Sequence, residues 1–199
     1  MSDDTRACRT KESSIKYDVF TENRGGGLFI VGNKDEQIEE ELYDPIIAVL
    51  RERFSGKGNC ILDTTDRLVR TDNRIDLDNV ALLSLSVEKM FPDLIGCLDI
   101  SEAIFSEESR LIVAKIKRGV LTLSDLYQVK MYAEVLQAYY AVLISPSGFQ
   151  KEQRRAIIEI PELLNYCAQE YDRQIVVMYW RKNTLEIDEE LYDEDPLET

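Results

Sequence analysis

Carboxylate and ammonium side chains are spaced between residues 93 and 117 in a way that suits work on a phosphate group. Asp93 and Asp99 lie six residues apart in one apolar segment, so the alternation of a regular strand would place both on the same face. Lys115 and Lys117 likewise share one face of the next apolar segment. Carboxylate oxygens are good Mg²⁺ ligands, and lysines bind phosphate. The simpler interpretation is that all four are solvated charges on a hairpin and its edge strand.

Two more polar residues follow on the next predicted helix. Gln128 and Tyr132 are four residues apart, which brings their side chains together on one helical face. A β-hairpin followed by a crossover helix would bring this face and both pairs of charges to one edge of a sheet. Taken alone, Tyr132 is equally well explained as a packing residue between helix and sheet.

The elements that must position these residues belong to an α/β fold, in which a mixed central sheet is flanked by helices. An apolar stripe at helical spacing predicts a first helix over 35–54, with Pro45 inside it as a possible kink or start. Thr122–Ser124 offer N-caps for a helix through about residue 138, and 150–171 is predicted to be helical with a break at Pro161. Strands are predicted at 16–20, 28–31, 60–62, 80–87, 91–100, 110–117, 139–145 and 174–180.

Charge limits the classes of nucleic-acid site that are possible. The 199 residues carry a net charge of −14, which excludes an overall basic coat. DNA binding would therefore need a local basic patch or a protein partner that delivers the substrate. Such a patch is available in the sequence from Lys115, Lys117, Arg118, Lys130, Lys151, Arg154 and Arg155.

The residue types that are missing exclude several chemistries. The chain has no histidine, so imidazole catalysis and histidine–cysteine zinc sites are excluded. Its four cysteines form no closely spaced pair, and no apolar run approaches the ~20 residues that span a bilayer. We therefore expect a soluble cytoplasmic protein with free thiols and no membrane partner. The oligomeric state is not readable.

Three segments together resemble a known nuclease superfamily. Pro92-Asp93-Leu94-Ile95-Gly96, then LIVAKIKRG at 111–119, then SDLYQVKMYAEVL at 124–136 are similar to the PD-(D/E)xK nucleases. Within the last segment, Gln128 and Tyr132 resemble the QxxxY motif of the RecB-like branch. The resemblance implies a restriction-endonuclease-like fold and phosphodiester hydrolysis of DNA that depends on Mg²⁺ or Mn²⁺.

The resemblance also implies roles for single residues. Asp93 would be a metal ligand, with Asp99 as the competing candidate because Gly96-Cys-Leu-Asp99 is similar to a RecB-like GxxD motif. Lys117 would be the motif lysine. Gln128 and Tyr132 would brace the site or contact the nucleic-acid backbone.

Lys115 departs from the family pattern, because the family has Asp or Glu two residues before the motif lysine. An ammonium group cannot ligate Mg²⁺, and it would instead pair with an aspartate. Three explanations follow: a non-catalytic nuclease-fold module for binding or assembly, an active-site variant, or an acidic ligand that comes from elsewhere in the chain. The candidates for that ligand are Glu102, Glu134 and one of Glu39, Glu40 and Glu41.

The predicted nuclease-like domain covers 17–182, between two polar ends. Residues 1–16 form a polar N-terminal arm, and 183–199 form an acidic C-terminal tail. The tail is predicted to be solvated. The alternative is an acidic peptide that docks on a basic partner or covers the protein's own basic groove.

Overall fold

A computed structural model describes residues 34–67, 91–100, 109–192 and 194–197, with the backbone alone for 34–40. All of them fall in one compact unit, Gly32–Thr199. The strands predicted at 16–20, 28–31 and 80–87 lie outside the described residues, as does the arm at 1–16. In the described part of the chain, no helix has the length and apolar character needed to cross a bilayer.

The described elements are helices and strands, with three consecutive strands near the start and three at the end. In chain order they are α1 (Lys34–Ser55), β1 (Asn59–Thr64), β2 (Leu94–Asp99), β3 (Ser109–Ile116), α2 (Leu123–Val135), β4 (Tyr140–Ser145), α3 (Lys151–Glu159), a 3₁₀ turn (Pro161–Leu164), β5 (Asn165–Ala168), β6 (Tyr171–Arg181) and β7 (Thr184–Ile187). The first helix runs through Pro45 without ending there.

The strands form one mixed sheet, as predicted. β1, β2 and β3 are antiparallel neighbours, and β3, β4 and β6 are parallel. β5 and β7 both pair antiparallel with β6. The helix α2 makes the predicted crossover between β3 and β4, which leaves its N-terminus beside the end of β3.

Apolar side chains cover both faces of the sheet. One face, with Ile95, Val113 and Leu143, packs against α2 and α3. The other face, with Ile112 and Val142, packs against α1. A strand that is covered on both faces needs apolar residues at nearly every position. β4 is such a strand: its sequence is YAVLIS, and every residue is buried.

Two predictions about the C-terminal third were wrong. Residues 165–168, predicted to be helical, form the edge strand β5, joined to β6 by a tight turn in which Gln169 and Glu170 have positive φ. The predicted domain end at 182 is also too early. Lys182 and Asn183 make a second turn of this kind, and β7 then extends the sheet into the acidic segment.

The rest of the acidic segment is also folded in its described part. Asp188 is buried and accepts hydrogen bonds from Arg154 and from the Tyr179 hydroxyl. Leu197 is buried in the cluster around α1, and Asp195 pairs with Arg53. The described part of the segment therefore packs on its own chain, where its carboxylates pair with Arg53 and Arg154, whereas a solvated tail was predicted.

Candidate functional site

Asp93 lies directly before β2 and is tied to the end of β3. Its Oδ2 accepts a hydrogen bond from the Ile116 backbone N–H at 2.6 Å, and the residue is half-buried. One carboxylate oxygen is therefore held by the backbone of the neighbouring strand, at the end of the sheet where the chain turns toward α2.

Lys115 lies on β3 one step beyond Ala114, the last residue of β3 that pairs with β2. The β2–β3 register pairs Leu94 with Ala114, and one further step places Asp93 across from Lys115. Residues directly opposite in an antiparallel pair project from the same face. By strand alternation that face is the one where Ile95 and Val113 pack against α2. The backbone register, continued by this one step, thus sets a lysine across from the aspartate that the resemblance assigns to metal binding.

Lys117 pairs with an aspartate that the sequence analysis did not select. Its Nζ lies 3.6 Å from Oδ1 of Asp125, whose side chain is 7% exposed. Asp125 Oδ2 accepts hydrogen bonds from the Thr122 backbone N–H at 2.9 Å and from the Thr122 hydroxyl at 2.7 Å. This is a capping box at the start of α2. The signal was present in the sequence, since Thr122 was a predicted N-cap and an acidic residue follows it three positions later.

Tyr132 lies two helical turns beyond Asp125 and is buried. Burial raises the pKa of its phenol to about 12, and the negative charge of Asp93 adds to the rise. Tyr132 therefore lies within electrostatic reach of Asp93. Gln128 is half-buried between them on the helix, three residues after Asp125 and four before Tyr132.

Asp99 does not join this group. It is exposed at the far end of β2, where it pairs with Asn59 and Ser109. Six residues of strand separate it from Asp93, or about 20 Å. The two aspartates cannot ligate one ion, so the structure brings Asp93 and not Asp99 to Lys115, Lys117 and α2.

The other proposed acidic ligands add no carboxylate to the described site. Glu134 and Glu41 are exposed, Glu102 lies outside the described residues, and the side chains of Glu39 and Glu40 are not described. Across the described ranges, no group of three or more acidic or cysteine side chains is arranged to hold a metal ion. The described residues therefore do not fit Mg²⁺ or Mn²⁺: Asp125 is occupied by Lys117 and its capping box, and one oxygen of Asp93 by the Ile116 N–H.

The predicted basic patch is smaller than the sequence count. On α3, Arg154 pairs with Asp188 and Glu190, and Arg155 pairs with Glu159 at 2.8 Å. Lys115 and the exposed Arg118 remain at the end of β3, beside Lys117, whose ammonium also pairs with Asp125. These three cations can take phosphate oxygens by charge-assisted hydrogen bonds.

Comparisons with models of protein families, with curated proteins and with solved structures found no match to this chain.

Proposed function

We propose that this protein is a nuclease-fold module that binds the phosphodiester backbone of nucleic acid without cleaving it. The observation that carries the proposal is the register of β2 and β3, which sets Lys115 opposite Asp93. A hard divalent cation needs several oxygen ligands, and an ammonium in their place repels it. The same ammonium attracts a phosphate.

The surroundings of Lys115 support an anion in preference to a cation. Asp93 is already hydrogen-bonded to Ile116, and Asp125 is occupied by its capping box and by Lys117. Arg118 is exposed next to Lys117. Because the chain as a whole is acidic, the affinity should be modest and should fall steeply as salt is added.

Binding without metal is the direct test. Fluorescence anisotropy with labelled single- and double-stranded DNA, in EDTA and in Mg²⁺, should give the same affinity under both conditions. The double variant Lys115→Ala/Lys117→Ala should weaken binding about tenfold, since two phosphate contacts are lost. The matched control is Lys57→Ala/Lys182→Ala, which removes two lysines from turns outside the candidate site. Equal binding by the double variant and the control would refute the proposal.

A second candidate is the Mg²⁺-dependent nuclease that the resemblance implies. It is favoured by the placement of Asp93 and Lys117 at the same end of neighbouring strands, with Gln128 and Tyr132 alongside on α2. A further acidic ligand would have to come from residues that the structure does not describe, such as Glu102.

The substitution Lys115→Glu separates the two candidates. If the fold is that of a nuclease whose metal site is blocked, this variant should bind Mn²⁺ and cleave DNA, and adding Lys117→Ala should abolish cleavage. If the parent chain already cleaves DNA in Mg²⁺, the non-catalytic proposal fails. If Lys115→Glu folds normally but gains neither metal binding nor cleavage, the nuclease candidate fails.

A further inference from the structure

A broad, open depression of about 1030 Å³ lies between the acidic C-terminal segment, the β5–β6 hairpin, the start of β4 and the end of α3. We call it the C-terminal depression. None of the residues of the candidate site lines it. What it binds is therefore a separate question from nucleic-acid binding at Asp93 and Lys115.

Negative charge dominates its lining. Five carboxylates line it, and Arg173 is the one cation among its described lining residues. Two of the carboxylates are compensated, because Asp195 pairs with Arg53 and Glu190 pairs with Arg154. In the described part of the chain, no cation pairs with the other three, which are Asp172, Glu189 and Glu194.

Arg173 supplies one positive charge against the three carboxylates with which no described cation pairs. Its guanidinium carbon lies 3.3 Å from the centre of the Tyr139 ring, so the cation is stacked on an aromatic face. The depression therefore presents a surplus of exposed carboxylates. Two of them, Glu189 and Glu194, lie in the C-terminal segment, which Asp188 ties to α3 and β6.

The same depression has apolar and aromatic surface between the carboxylates. Tyr139, Pro161 and Tyr192 line it, and Ile158, which also lines it, is 48% exposed. Ile160, which precedes Pro161 in the chain, is 51% exposed. Isolated exposed apolar residues need no explanation, but a cluster with a charged rim is typical of a binding surface.

From the unpaired carboxylates of the described lining and the apolar surface between them we infer that the C-terminal depression binds a basic, extended peptide segment of a partner protein. Lysine or arginine side chains would pair with Asp172, Glu189 and Glu194. Apolar residues of the peptide would cover Ile158 and the tyrosines. Complementary charge sets the specificity and speed of such an encounter, and the aromatic floor adds contact area. A polyanion is repelled by the same wall.

The probe is a short fluorescein-labelled peptide of alternating lysine and leucine, titrated with the full chain. We expect saturable binding that weakens as salt is raised, and no binding of the matching glutamate–leucine peptide. The double variant Glu189→Gln/Glu194→Gln should weaken binding roughly tenfold, because two exposed carboxylates of the wall are neutralised. Both residues are exposed, so the variant should fold as the parent does.

Two controls separate a built site from the general attraction of an acidic protein. Glu52→Gln/Glu134→Gln removes the same charge from exposed positions on α1 and α2 and should leave the affinity unchanged. Ile158→Asn should weaken the peptide but not spermine, a polycation without apolar groups. Absence of saturable binding would overturn the inference. So would equal losses in the two double variants, or no effect of Ile158→Asn on the peptide.

Discussion

The hydroxyl of Tyr192 fills a gap in the hydrogen bonding of β6, and its removal gives the sharpest test of how the C-terminal segment is folded. On the side of β6 away from β4, β5 pairs with residues 171–174 and β7 pairs with 178–181. Between them, Tyr192 donates a hydrogen bond to the Ile175 carbonyl at 2.6 Å and accepts one from the Val177 N–H at 2.8 Å. One side chain thus satisfies two backbone groups between the hairpins.

Tyr192→Phe should therefore destabilise the protein with almost no change in shape. An orphaned buried backbone group costs about 1–3 kcal/mol, and water reaches this half-buried site in part, so we expect a total loss of about 2 kcal/mol. With a typical urea dependence for a chain of this size, the midpoint of unfolding should fall by about 1 M. Trp180 is the one tryptophan of the chain and lies buried on β6, so its fluorescence reports the transition directly.

Tyr171→Phe is the matched control. Tyr171 lies on the same strand but is 66% exposed, and its hydroxyl has no hydrogen-bond partner among the described residues. This control should change the free energy of unfolding by less than about 0.5 kcal/mol. If Tyr192→Phe has no larger effect than Tyr171→Phe, the C-terminal segment is a solvated tail, and the conclusion that it packs on β6 is refuted.

Three further predictions concern single residues. Asp188→Ala should cost about 3 kcal/mol in urea unfolding, because this buried carboxylate is the acceptor for the half-buried Arg154 and the buried Tyr179. Glu190→Ala removes an exposed partner of the same arginine and should cost less than about 1 kcal/mol. Gly148→Ala should lower the melting temperature in calorimetry, since Gly148 has φ +64° and an added Cβ would lie 2.3 Å from the Tyr179 ring; an unchanged melting temperature would contradict that packing. Because the folded-state pKa of Tyr132 is raised from 10.0 to about 12, its contribution to stability is complete below pH 10 and is lost as pH rises toward 12. Tyr132→Phe should flatten this alkaline decline in the free energy of unfolding, and an equally steep decline in the variant would show that the phenol does not contribute.

The sequence determined the local elements of the first two thirds of the described fold, because their signals are local. Apolar spacing predicted α1, β2, β3 and β4, and the Thr122 cap predicted the start of α2. It also placed Lys115 two residues before Lys117, where the resemblance to the PD-(D/E)xK nucleases would require an acidic residue.

Only the tertiary structure decided which charges meet. That Lys115 stands opposite Asp93 depends on the register of two strands, and that Lys117 faces Asp125 depends on the crossover of α2. Asp99 lies outside the site because two residues on the same face of a strand can still be far apart along it. β5 and β7 are four residues each, too short for a periodic signal, and both exist because β6 offers an edge. The acidic segment looks solvated in sequence because charges outnumber apolar residues there. It folds because Leu185, Tyr192 and Leu197 find partners that are distant in the chain.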